Sequence, residues 1–174
     1  MVWTSHPVSK IAGAVQAPGD KSCSHRAIIM GGMADGRTKI TGLLEGDDVL
    51  RTAAAVRALG ASVTQTGAGS WEITGVGAKG FHSPSEPLDF GNSGTGSRLL
   101  MGVMAGYNLV ADITGDASLS VRPMNRILNP LREMGARDTA AADGTLPFRL
   151  MGSSSLHAIS YTCLLYTSPS PRDA

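Results

Sequence analysis

"ALGASVTQTGAGSWEITGVG" (58–77) and "EMGARDTAAADGTLPFRLMG" (133–152) match along their length at an offset of 75 residues. Gly60 meets Gly135, Ala61 meets Ala136, Gly69 meets Gly144, Ile73 meets Phe148 and Gly77 meets Gly152. Upstream, "HRAIIMGGMA" (25–34) resembles "SRLLMGVMAG" (97–106), and each runs on to a short strand-like stretch ending in Thr-Gly, "KITG" and "DITG". Self-similarity at a fixed offset means one supersecondary unit used twice.

Each copy reads as a βαβαββ unit, which makes the chain α/β. A buried helix (23–34, then 94–106) leads to a strand (37–41, then 109–114). A second helix (47–59, then 123–134) stops at Leu-Gly-Ala or Met-Gly-Ala, where the glycine suits the position just past a helix end. A hairpin follows (61–75, then 136–150), turning at Gly or Asp-Gly. A third unit begins at "LHAISYT" (156–162) and is cut off.

Composition bounds the rest. The chain has 174 residues, 42% of them hydrophobic, enough for one domain with a core. Only 17% are charged and the net charge is +1, so no global basic field marks a nucleic-acid or membrane-surface protein. No apolar run approaches the roughly 20 residues of a membrane helix, and "MVWTSHPVSK" lacks the apolar core of a secretory signal. Two distant cysteines, Cys23 and Cys163, make neither a disulfide framework nor a zinc cluster, and a reducing cytoplasm is the simplest setting. Cys23 with His25 falls short of the three or four ligands a metal needs. Met30, Met33, Met101 and Met104 fall at helical spacing and read as core filler; Trp71 reads as packing in the first hairpin.

The charges at the helix starts break a rule. A helix N-terminus carries partial positive charge and unpaired N–H groups, so acidic residues belong there. "GDDVLRTAAAVRALG" (46–60) obeys, with Asp47 and Asp48 first and Arg57 near the end. "DKSCSHR" (20–26) instead brings Lys21, His25 and Arg26. "GNSGTGSR" (91–98) brings Arg98 after a Gly/Ser/Thr/Asn turn, and "DASLSVRPMNR" (116–126) brings Arg122 and Arg126 around Pro123, which should open the helix. Each misplaced cation costs a few tenths to about 1 kcal/mol. One such start is an ordinary solvated surface; three on repeated units point to a ligand with several anionic groups, since helix N–H groups, hydroxyls and cations together bind phosphate or carboxylate. "GNSGTG" is neither a Walker A loop, which needs Lys-Ser/Thr after its last glycine, nor a dinucleotide fingerprint, whose glycine spacing it fails.

"PGDKSCSHRA" (18–27), "LDFGNSGTGSRLLMG" (88–102) and "GDASLSVRPMNRILNPLREMGA" (115–136) together resemble the N-terminal half of the 5-enolpyruvylshikimate-3-phosphate synthase family, from about residue 8 to Thr162. The last two are most similar to the bacterial class that includes glyphosate-tolerant forms. The resemblance implies the enolpyruvyl transferase fold: two domains of three βαβαββ units each, with helix N-termini facing the cleft between them. It implies transfer of the carboxyvinyl group of phosphoenolpyruvate to the 5-hydroxyl of shikimate 3-phosphate, by addition and elimination, with release of phosphate and without metal or organic cofactor. It implies a cytoplasmic, monomeric protein whose partners are these two small molecules, with no nucleic acid or membrane. Lys21 would touch both substrates. Ser22 and Arg26 would bind shikimate 3-phosphate. Gly94 and Arg122 would bind phosphoenolpyruvate, and Asn92 and Thr95 would shape the turn. His25 and Arg98 fit local structure as readily as ligand. The resemblance further implies that the glycine at 94 would leave room for glyphosate, where alanine would crowd it.

The match ends at Thr162. "CLLYTSPSPRDA" (163–174) has no strand or helix period and two Ser-Pro steps, so it reads as a non-native tail. The resemblance then implies that residues 18–162 are one incomplete domain, and that residues 1–17 hold a strand (9–16) belonging to a second domain that would carry the acid and base carboxylates. By itself the chain should be catalytically inactive. A non-catalytic anion-binding module and a sugar-nucleotide enolpyruvyl transferase are the competing readings, and the Asp-Lys-Ser-x-Ser-His-Arg run argues against the second.

Overall fold

The computed structural model describes residues 3–162; the expected tail, with Cys163, lies outside the described residues. Two sheets form, one per repeat. The first holds β1 (Arg37–Ile40), β2 (Ser62–Gly67) and β3 (Ser70–Thr74) in the order β1-β3-β2, with both pairings antiparallel. The second holds β4 (Leu88–Asp89), β5 (Val110–Thr114), β6 (Arg137–Asp138) and β7 (Phe148–Met151) in the order β4-β5-β7-β6. There β4 runs parallel to β5, and β7 pairs antiparallel with β5 and β6. The same core of three strands recurs, and the second unit adds a leading strand that the first lacks. The outer edge of β1, where that strand would lie, is unpaired among the described residues. Residues 3–17 form no strand, and Trp3, Ile11 and Val15 are 89%, 91% and 96% exposed, so they bury nothing here.

The helices are α1 (Lys21–Met33), α2 (Asp47–Ala58), α3 (Gly94–Ala105), the short α4 (Ala117–Ser120) and α5 (Asn125–Met134). α1 packs on α2 and α3, α2 on α3, and α3 on α5. Their apolar residues, including Ile28, Val56, Leu100, Met101, Met104 and Leu128, are fully buried with Ile73 and Ile113 of the sheets. Each such side chain contributes about 1.5–3 kcal/mol through water exclusion. The repeat shows in the stops as well: Gly60 after α2 and Gly135 after α5 have φ of 114° and 112°, a region that only glycine enters freely.

Two expectations need correction. Pro123 does not open a helix. α4 precedes it, and α5 starts two residues later at Asn125, because the stretch before Pro123 is capped separately by Asp116. The second hairpin is present, with β6 only two residues long, and its loop is tied to the start of α5 by Met124 N–H to Gly144 O and by Asn125 Nδ2–H to Ala142 O. Met30 and Met33 are not core: they are 67% and 39% exposed, because α1 turns Ile28, Ile29, Gly31 and Gly32 inward instead. Residues 9–16, expected to serve a second domain, join no sheet among the described residues. Trp71 is buried as expected, and its Nε1–H donates to Glu45.

Candidate anion-binding site

The starts of α1, α2 and α3 meet at one end of the fold. Lys21, first in α1, pairs with Asp48, second in α2, at 3.0 Å. A methyl group added at Gly96, in the first turn of α3, would lie 2.3 Å from Thr52 Oγ1, 2.6 Å from Ser93 Oγ and 3.2 Å from His25 Cε1. Three helices approach this closely only because residue 96 has no side chain.

The misplaced charges are partly answered within the chain. Asp20 caps α1, its carboxylate accepting from Cys23 N–H at 2.7 Å; that bond holds the Asp20 carboxyl below its usual range. Ser93 caps α3 and Asp116 caps α4. α5 has no side-chain cap. Ser24 is buried and bridges α1 to the loop before α2, donating to Asp20 O and accepting from Leu44 N–H. Lys21, Ser22 and Arg26 stay exposed at the end of α1, and Arg26 donates to the Ser22 carbonyl at 3.1 Å.

His25 is fully buried. Its Nδ1 is hydrogen-bonded to Thr52 Oγ1 at 2.8 Å, and Thr52 Oγ1 also lies 3.3 Å from the Asp48 carbonyl. Nε2 is buried with no hydrogen-bond partner. Burial pushes the His25 pKa down; Asp48 opposes this, while Lys21 and Arg26 add to it. A folded value below the unfolded one means the unfolded chain binds the extra proton. The stability from a neutral His25 is therefore complete above about pH 6.5 and is lost as pH falls from there through the lower folded value, by up to about 1.4 kcal/mol per pH unit. Thermal melts between pH 7 and 5 are expected to show this slope, and His25→Asn to flatten it.

On the other flank of α3, Arg122 Nη2 donates to Asn92 Oδ1 at 2.6 Å and to Ser118 Oγ at 2.9 Å. No carboxylate lies within ion-pair distance of it among the described residues. The Gly94 N–H donates to the Asn92 carbonyl at 2.9 Å. A methyl group at Gly94 would lie 2.9 Å from Arg98 Nη1 and 3.3 Å from Arg122 Nη1. The structure thus brings Asn92, Gly94 and Arg122 together and sets Thr95, next in sequence to Gly94, half-buried. Arg126 is exposed.

Three partners went unread in the sequence. Asp48, set aside as an ordinary helix start, holds Lys21; Thr52 fixes His25; Ser118 steadies Arg122. Only the last had a local signal, since Asp116 three residues before Leu119 marks a capped turn.

Such an arrangement offers a fixed, unneutralised guanidinium beside a side-chain-free turn, and a lysine and hydroxyl at a neighbouring helix start. It can hold two anionic groups. A family model for EPSP synthase (3-phosphoshikimate 1-carboxyvinyltransferase) matches residues 5–165. The chain is 71% identical over 161 residues to the 3-phosphoshikimate 1-carboxyvinyltransferase of Hyphomonas neptunium, covering 92% of this chain and 37% of that protein. It is 56% identical over 152 residues to the enzyme of the same name from Rhodopseudomonas palustris, covering 87% and 34%. An EPSP synthase structure from Acinetobacter baumannii superposes with a TM-score of 0.81 at 45% identity, over 86% of this chain and 34% of that one. The chain spans about a third of the length of the curated relatives it matches.

Proposed function

The chain belongs to the EPSP synthase family, and from that premise we propose that it forms part of an enzyme that transfers the carboxyvinyl group of phosphoenolpyruvate to shikimate 3-phosphate. Arg122 carries the reading. It is positioned by Asn92 and Ser118 against Gly94 with no acid to neutralise it, as a clamp for an anion requires. Phosphoenolpyruvate lies along the Gly94 turn, its anionic group on Arg122 and Lys21. Shikimate 3-phosphate lies at the start of α1 on Lys21, Ser22 and Arg26, and Lys21 leaves Asp48 as the substrates arrive. The same reading makes the protein a cytoplasmic monomer. Residues 1–17 supply a strand to a second domain, which brings the acid and base groups.

Catalysis needs groups on both sides of the reacting atoms. The 174-residue chain alone therefore binds anions and does not turn over. The test is phosphate release from the two substrates by the chain and by residues 1–162 joined to the matching remainder of the Hyphomonas neptunium relative. The joined protein is expected to be active and the chain silent. Turnover by the chain alone that Lys21→Ala abolishes would refute the half-site reading. The joined protein is also expected to be sensitive to glyphosate, and Gly94→Ala to raise the inhibiting concentration about tenfold or more, since the new methyl would press on the two guanidiniums. Inhibition needing millimolar glyphosate before that change would count against it.

A further inference from the structure

Arg98 is an expensive residue with no local return. Its side chain leaves the first turn of α3, donates from Nη1 to the Gly94 carbonyl at 3.2 Å, and reaches from Nη2 to the Pro123 carbonyl at 3.3 Å. Both bonds are long and go to neutral acceptors. Nε is buried without a partner. No carboxylate pairs with the guanidinium among the described residues, and its charged neighbours are Arg122 and Arg126. Burial, and then those two arginines, depress its pKa. A charge taken from water, beside like charges and imperfectly bonded, destabilises the free protein. Local rules are broken in this way where a site needs them.

What the side chain does is join two parts. Gly94 begins α3, and Pro123 follows Arg122 on a separate segment 29 positions later in the chain. The fork of Arg98 spans them, so the turn and the clamp keep one spacing. We propose that Arg98 is a positioning residue for the phosphoenolpyruvate subsite: it fixes Arg122 against the Gly94 turn, and an anion on Arg122 offsets the charge that Arg98 brings. This rests on the subsite assignment above.

Isotope-edited NMR titration of the 174-residue chain with phosphoenolpyruvate, alongside thermal melts, separates the two. The unaltered chain is expected to bind and Arg122→Ala to fail. Arg98→Met should weaken binding roughly tenfold or more while its melting temperature stays level or rises, because like-charge repulsion is relieved. Arg98→Lys keeps the charge but not the two-point reach, and should fall between. A merely structural Arg98 would lose stability and binding together, which overturns the proposal. So does binding by both Arg98 variants equal to that of the unaltered chain, with the subsite intact. Failure of the unaltered chain to bind overturns the subsite assignment and this inference with it.

Discussion

Arg122→Ala in the joined protein is expected to lower kcat/KM for phosphoenolpyruvate by roughly 10²- to 10³-fold, the scale for removing a preorganised charged donor from a developing or bound anion. The loss should exceed that from truncating Asn92 or Ser118, which only aim the guanidinium. Steady-state kinetics with each substrate varied in turn decides it: the KM for shikimate 3-phosphate should move little. Equal losses for both substrates would place Arg122 outside the phosphoenolpyruvate subsite. Lys21 makes a useful contrast. It already pairs with Asp48, with side chains 51% and 26% exposed, so its release costs little and its folded-state partner adds little stability.

Two glycines of one helix give the second large contrast. Gly96→Ala drives a methyl group to 2.3 Å from Thr52 Oγ1 and into the bond that Thr52 makes with His25. Overpacking and a broken buried polar pair together should cost about 1–3 kcal/mol or more. Gly102, on the same helix, has nothing within 4 Å of the corresponding point. There Gly→Ala should stabilise by roughly 0.5–1 kcal/mol through helix propensity and a less free unfolded chain. Denaturant melts of the two variants, read at constant slope, test the pair. A Gly96→Ala chain as stable as the parent would mean that the helix starts are not packed as described.

The parts of the fold that were legible are those that local rules encode. The helix read at 47–59 is α2 at Asp47–Ala58, and the one read at 94–106 is α3 at Gly94–Ala105. Their start and stop residues carry the signal. Asp-Gly marks the turn before β7, but nothing local to it shows that the same loop covers the start of α5. In the candidate site, the motifs give no sign of the partners their residues meet. Lys21 with Asp48, and His25 with Thr52, are both 27 positions apart, a separation set by how two helices lie together. Periodicity says which face is buried, and it does not say which residue on the next helix that face will meet. Met30 and Met33 show the same limit, since helical spacing alone left open which stripe of α1 turns inward.

The outer edge of β1, unpaired among the described residues, bears on how copies of this chain meet one another. β1 alternates Arg37, Thr38, Lys39 and Ile40, and both cations are exposed while the other two are half-buried. Glu72 sits 3.4 Å from Arg37 and answers one of them. Two copies meeting there in antiparallel fashion, centred on Thr38, would set Arg37 of each against Lys39 of the other. Cations on an unpaired strand are a known deterrent to stacking of sheets end on end. Colloidal behaviour then depends on ionic strength: salt that screens those four charges removes the deterrent, so added salt should favour self-association at this border.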